Sequence, residues 1–225
     1  MNGPRDHNPV RRRTILRAAL ITGAAAVTAC SSPSDQPEPE RGQASPGNKA
    51  RGKVLLVYFS RPGENYRYGG RTTLTVGNTE VLAGKIRDLI GCDVHRIEPA
   101  DPYPEGYDAT VKRNVVEQDT DARPAIKNPL PDIGAYDTVL LGSPIWNVRA
   151  PMIMTTFTEQ LDFSGKVVVP FTTHAMSGLG TTARDYAKSC RGATFADGLA
   201  VQGEEVGEAD EAVETWLRQL SLIAS

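Results

Sequence analysis

From Lys53 onward the chain alternates short apolar runs with stretches whose apolar residues recur at helical spacing. Val54 to Phe59 is continuously apolar, as a strand buried on both faces of a parallel sheet should be. Behind a polar start at Asn78 and Thr79, the apolar set Val81, Leu82, Ile86, Leu89 and Ile90 predicts a helix. Asp93 to Glu98 alternates polar and apolar residues, predicting an edge strand that ends at Pro99 and leaves His95 exposed. Further along, a helix is expected from Tyr107 to about Thr120, a third strand at Tyr136–Leu141 and a helix at Pro151–Leu161. A fourth strand at Lys166–Thr172, a helix at Thr181–Cys190, a short fifth strand at Ala193–Val201 and a closing helix at Glu208–Leu222 complete the series. This alternation implies right-handed crossovers and an α/β fold, a doubly wound, five-stranded parallel sheet.

Residues 1–50 carry no such pattern, so the folded domain is expected over residues 51–225, long enough for one core. Three arginines at 11–13 and Arg17 precede Ala18 to Ala29, an apolar run too short and alanine-rich for a stable span. A basic region, a modest apolar stretch and small residues before a cut site describe a signal peptide over 1–30. Arg12-Arg13-Thr14-Ile15-Leu16 resembles a twin-arginine export motif. Val27-Thr28-Ala29-Cys30 resembles a bacterial lipobox, which makes Cys30 the expected lipidation site. Residues 31–50, rich in Pro, Ser and Glu, are expected to be a disordered tether. The expected location is the extracytoplasmic face of a bacterial cell membrane, with the membrane touched only through the lipid.

The overall charge of -2 hides an asymmetry, because residues 1–29 hold five arginines against Asp6 and the remainder is acidic. That balance argues against nucleic-acid binding. Cys92 and Cys190 show no metal-ligand spacing and are expected as buried free thiols, too far apart to bridge. No Ser-His-Asp or Cys-His arrangement is evident, so hydrolysis is disfavoured. Asp137, Asp162 and Asp185 read as caps and surface charge, and Arg149 as a solvated charge or a partner contact.

Candidate chemistry collects in the loops after strands one, three and four, which open on the same sheet edge, where doubly wound folds bind ligands. The first runs from Ser60 to Gly77-Asn78-Thr79 and delivers hydroxyl, amide and backbone N–H groups to a helix N-terminus, a natural anion site. It lacks the glycine pattern of a dinucleotide site and the Gly-Lys-Ser/Thr of a P-loop, and suits a phosphate monoester held by neutral donors. The second, Gly142 to Asn147, offers Trp146 to a planar ring. The third, Thr173 to Gly180, offers small residues and backbone N–H groups for a ring's polar edge. Phosphate and aromatic ring in one cleft point to flavin mononucleotide (FMN).

On these residues, Lys53–Ser60 with Gly77-Asn78-Thr79, Ser143–Trp146, and Pro170–His174 with Ser177–Gly180, the chain resembles the flavodoxins, from about Lys53 to Leu220. The resemblance implies the strand order 2-1-3-4-5 and bound FMN. It implies that Ser60, Arg61, Asn78 and Thr79 contact the phosphate. Ser143, Pro144, Ile145, Trp146 and Asn147, with Thr173, His174, Ser177, Gly178 and Gly180, would then line the ring. A departure is Pro62 to Val76, which separates the two halves of the phosphate loop and reads as a hairpin turning at Gly69-Gly70. Tyr66 or Tyr68 would cap the cleft, Arg67 or Arg71 reach the phosphate, or the lobe dock a partner.

Three functions follow. The first is an FMN protein passing electrons to a redox partner protein or small-molecule acceptor, with no catalytic acid or base. The second is an FMN-dependent NAD(P)H or quinone reductase, with Tyr66, Arg149 and His174 lining the substrate face. The third is a flavin-free binding module.

Overall fold

The computed structural model describes residues 52–224. The expected signal peptide, the lipidation site Cys30 and the tether 31–50 lie outside them. The elements are β1 (Val54–Tyr58), β2 (Gly63–Arg67), β3 (Gly70–Leu74), α1 (Asn78–Ile90), β4 (Asp93–Arg96), α2 (Tyr107–Asp119), β5 (Thr138–Pro144) and α3 (Met152–Glu159). They continue with β6 (Val167–His174), α4 (Thr182–Ser189), β7 (Thr194–Phe195), β8 (Leu199–Gln202), a 3-10 turn (Gly203–Glu208) and α5 (Asp210–Gln219). The expected closing helix thus spans fewer residues, Asp210–Gln219, and follows a 3-10 turn that ends at Glu208.

The main sheet is parallel in the order β4-β1-β5-β6-β7, with β8 also paired to β6. Because β7 and β8 follow one another along the same edge of β6, they fill the fifth strand position, and the order is the expected 2-1-3-4-5. The fifth strand is split where a single one is expected, and Pro170 explains the break. The carbonyls of Lys166 and Val168 accept from Thr194 and Ala196, so the even-numbered residues of β6 face this edge. Proline at 170 has no N–H to offer there, and proline is tolerated only against an edge of this kind. The gap is covered by Trp216, whose Nε1 donates to the Asp197 carbonyl at 2.8 Å.

The apolar run of β1 divides between two cores by strand alternation. Leu55, Val57 and Phe59 join Val139, Leu141, Ile153, Phe157 and Tyr186 on one face. Leu56 and Tyr58 join Leu82, Ile86, Phe171, Val213 and Leu217 on the other. Helix α1 ends where Gly91 takes a left-handed conformation, φ 61°, and its N–H returns to the Arg87 carbonyl at 2.7 Å.

His95 is half-buried, not exposed, because its ring packs 5.7 Å from that of Phe157 under α3. The two cysteines among the described residues are free; Cys190 is buried as expected, whereas Cys92 is only half-buried. Burial pushes their thiols up, to about 11 for Cys92 and about 12 for Cys190.

The segment between β1 and α1 forms an antiparallel hairpin, β2–β3, outside the main sheet. Its two-residue turn is Tyr68-Gly69, with φ 44° and 85°, one residue earlier than the glycine pair suggests. Neither strand has a fully buried residue. Polar contacts dock the hairpin instead: Glu64 Oε2 accepts from the Tyr107 N–H at 2.9 Å, and the Arg71 guanidinium lies 3.6 Å from the Tyr107 ring centre. At the tip, the Tyr68 N–H donates to Glu204 Oε1 at 2.8 Å, across the sequence.

Candidate functional site

A cleft of about 370 Å³ opens beyond the carboxyl ends of β1, β5 and β6, a size ordinary for a small-molecule site. Its floor at the α1 end is built from hydroxyls. Ser60 is buried, and its Oγ accepts from the Glu80 N–H at 3.1 Å. Thr79 and Thr173 are buried too, their hydroxyl oxygens 2.7 Å apart. Helix α1 begins behind Gly77 with no side-chain cap. The amides of Asn78 and Thr79, the first in the helix, have no backbone partner among the described residues. Uncapped N–H groups at the positive end of a thirteen-residue helix favour an anion in the cleft. Close approach is permitted by Gly77: a Cβ there would lie 2.5 Å from the Arg61 carbonyl oxygen and against Ser60 Oγ.

The aromatic part lies at the end of β5. Trp146 meets Phe59 edge-on at 5.7 Å between ring centres and Tyr103 at 5.0 Å, leaving the indole half-exposed in the cleft. The Trp146 N–H donates to the Arg149 carbonyl at 2.8 Å and the Arg149 N–H donates back to the Trp146 carbonyl at 3.4 Å, closing a turn on Asn147 and Val148. Both central residues have positive φ, 49° and 63°, and for a β-branched valine this conformation is strained.

His174 closes the opposite side. Its Nδ1 is buried without a hydrogen-bond partner among the described residues. Burial lowers its pKa from the ordinary value, while Glu204 and Glu205 pull it back up. The imidazole is therefore neutral near pH 7 and holds a proton on one nitrogen, leaving the other as an acceptor.

Of the residues singled out from sequence, Ser60, Arg61, Asn78, Thr79, Pro144, Ile145, Trp146, Asn147, Thr173 and His174 line this cleft together. Arg61 does so with its charge committed elsewhere. Its guanidinium donates to the carbonyls of Pro104 and Glu105 at 2.9 and 3.0 Å, and also to that of Glu64. Its terminal nitrogens hold the root of the hairpin, while Nε has no hydrogen-bond partner among the described residues.

Four others do not line the cleft. Ser143 is completely buried. Ser177 is exposed on the loop after β6. Gly178 gives its carbonyl to Thr172 Oγ1 at 3.1 Å. Gly180, φ 53°, lies against the Val148 carbonyl, and the next N–H donates to that same carbonyl at 2.8 Å. Arg149 is paired with Asp185 at 3.5 Å.

Sequence reasoning missed a whole wall. Tyr107, Thr110, Val111, Asn114 and Val115 of α2 line the cleft, joined by Asn65 of the hairpin and by Gly203 and Glu204, while Tyr66, expected to cap the cleft, does line it. The α2 residues fall at helical spacing on one face, the only sequence signal available. Among the described residues no cluster suited to a metal is present, and no helix is long and apolar enough to cross a membrane.

A parallel sheet of this order, with an uncapped helix N-terminus and a half-exposed tryptophan sharing one cleft at its carboxyl edge, defines a flavodoxin-like α/β protein. The chain belongs to the flavodoxin family, whose model matches residues 72–220. A candidate flavoprotein from Bacteroides eggerthii is 30% identical, with a TM-score of 0.59, over 76% of this chain and 98% of that one. A second, from Bacteroides uniformis, is 27% identical with a TM-score of 0.59, over 74% and 98%. A flavoprotein from Lactobacillus acidophilus, solved in complex with FMN, is 18% identical with a TM-score of 0.53, over 70% and 97%, a likeness of fold. No curated protein matches the chain.

Proposed function

We propose that the protein binds FMN in this cleft and carries electrons. The carrying observation is the uncapped start of α1, whose free Asn78 and Thr79 amides adjoin the buried hydroxyls of Ser60 and Thr79 in the cleft that also holds Trp146. The residues present fit the cofactor: neutral donors for a phosphate, a close-approach glycine at 77, an aromatic face, and a polar atom of His174 left unpartnered. The FMN complex of the similar Lactobacillus acidophilus flavoprotein supports the same reading.

Bound FMN supplies the redox chemistry. The chain's own part is to hold and tune it. The amides of Asn78 and Thr79 with the Ser60 hydroxyl would hold the phosphate, with no cation needed. Pro144 to Asn147 and Thr173 to Ala175 would hold the ring and exclude water from part of it. His174 would present a neutral nitrogen, and the acidic Glu204 and Glu205 beside it disfavour added negative charge. The partner is a redox protein or a small-molecule acceptor. Export through a twin-arginine route and a lipid anchor at Cys30 belong to the same proposal, since that route carries already folded proteins; palmitate labelling of the full chain, abolished by Cys30→Ala, tests the anchor.

The function itself is tested by reducing the flavin-loaded protein chemically and following reoxidation. Transfer of electrons to an acceptor without NAD(P)H turnover is expected. Sustained NAD(P)H oxidation with a quinone would make the protein a reductase instead.

A further inference from the structure

Asn114 on α2 lines the cleft, yet only 3% of it is exposed. A chain of hydrogen bonds that starts at a backbone carbonyl fixes which end of its amide faces where. The Trp146 carbonyl can only accept, so the Gln118 atom 3.1 Å from it is the amide nitrogen Nε2. The same nitrogen donates its second hydrogen to Asn114 Oδ1 at 3.2 Å. Gln118 Oε1 in turn accepts from Asn147 Nδ2 at 3.1 Å, which is consistent with that orientation. Asn114 therefore gives its oxygen to Gln118, and its Nδ2, with two hydrogens, makes no hydrogen bond among the described residues.

On a side chain this buried, the free donor meets only the cleft, and a ligand that displaces water there must offer it an acceptor. The surroundings say what that is. Thr110, one turn earlier, has its hydroxyl committed to the Pro104 and Gly106 carbonyls. Val111 and Val115, on the same face, are 41% and 40% exposed. Apolar neighbours and a half-exposed indole suit the flat body of a ring, and would penalise a phosphate dianion.

We infer that Asn114 is a ligand-reading residue: its Nδ2 donates to an acceptor atom, a carbonyl oxygen or an unprotonated ring nitrogen, on a planar heterocycle in the cleft. The relay Trp146–Gln118–Asn114 holds the donor in place before the ligand arrives, so little ordering is needed on binding. The inference rests on the flavin reading above.

The test uses the full chain stripped of flavin and titrated with FMN and with riboflavin, which share the ring and differ in the phosphate. Asn114→Leu is expected to weaken both by the same factor, about tenfold, as the loss of one hydrogen bond implies. Asn114→Asp, which replaces a donor by a negative acceptor, should weaken both further. In the unmodified protein labelled with nitrogen-15, the Asn114 side-chain amide signal should shift on saturation with either flavin; this measurement does not depend on a variant folding. Unchanged affinities, a loss confined to FMN, or an unmoved Asn114 signal would overturn the inference and leave the flavin reading standing. Failure of the unmodified protein to bind either flavin would remove both.

Discussion

Thr79, at the start of α1, and Thr173, near the end of β6, share a hydrogen bond of 2.7 Å between hydroxyls that stand 94 residues apart. Both residues are almost completely buried, at 1% and 4% exposure. The bond fixes the helix that offers free amides to the strand end that carries His174. Removing one partner strands the other in a buried site, at a cost of about 1–3 kcal/mol, whereas removing both is close to neutral. Thr79→Val should lower stability by about that amount in urea unfolding, and Thr79→Val with Thr173→Val should recover most of it. A double variant as unstable as the sum of the singles would mean that the two hydroxyls are not coupled.

Gly77 sets how near α1 comes to β1. A Cβ there meets the Arg61 carbonyl oxygen at 2.5 Å and the Ser60 hydroxyl, so one of them must move. Gly77→Ala should reduce FMN affinity by about tenfold or more, while near-native far-ultraviolet circular dichroism persists. Quenching of Trp146 fluorescence in an FMN titration measures it; the other tryptophan, Trp216, packs in the core on α5.

The hairpin β2–β3 buries no core side chain, and its tip is tied by the Tyr68 N–H to Glu204 at 2.8 Å. Glu204→Ala should speed hydrogen exchange across residues 64–74 with a global stability change below about 0.5 kcal/mol. Slow exchange retained throughout the hairpin would show that the α2 contacts alone hold it.

Burial lowers the pKa of both His174 and His95 from the ordinary 6.5. Below that value the unfolded chain takes up protons that the native one refuses, so stability is whole above about pH 6.5 and declines as the pH falls below it. His174→Gln and His95→Gln together should flatten unfolding midpoints measured between about pH 5 and 7. A slope unchanged in that window would place the loss on carboxylates.

Much of this architecture is legible from pattern alone. Val54 to Phe59 reads as a strand buried on both faces and Lys166 to Thr172 as a further strand, and β1 and β6 of the central sheet lie there. The loops that follow them, with the one after β5, could be placed on one edge by topology alone. The α2 wall was not legible. Tyr107, Thr110, Val111, Asn114 and Val115 mix hydroxyl, amide and apolar groups, since a cleft wall follows the ligand and not the core. The commitment of Arg61 to three carbonyls was hidden for a different reason: its partners Glu64, Pro104 and Glu105 are brought to it by the hairpin and a loop, which no spacing along the chain reveals. Pro170 was visible, but its effect on the fifth strand depends on which neighbour its missing N–H faces.

The central claim is that the uncapped start of α1 and the cleft above Trp146 hold FMN. It is tested most directly by extracting cofactor from protein purified with its N-terminus at Gly52, and by adding FMN to the stripped protein. Yellow protein whose extract is FMN, with one equivalent rebound on addition, is the predicted result. Colourless protein that binds no added FMN would contradict the account.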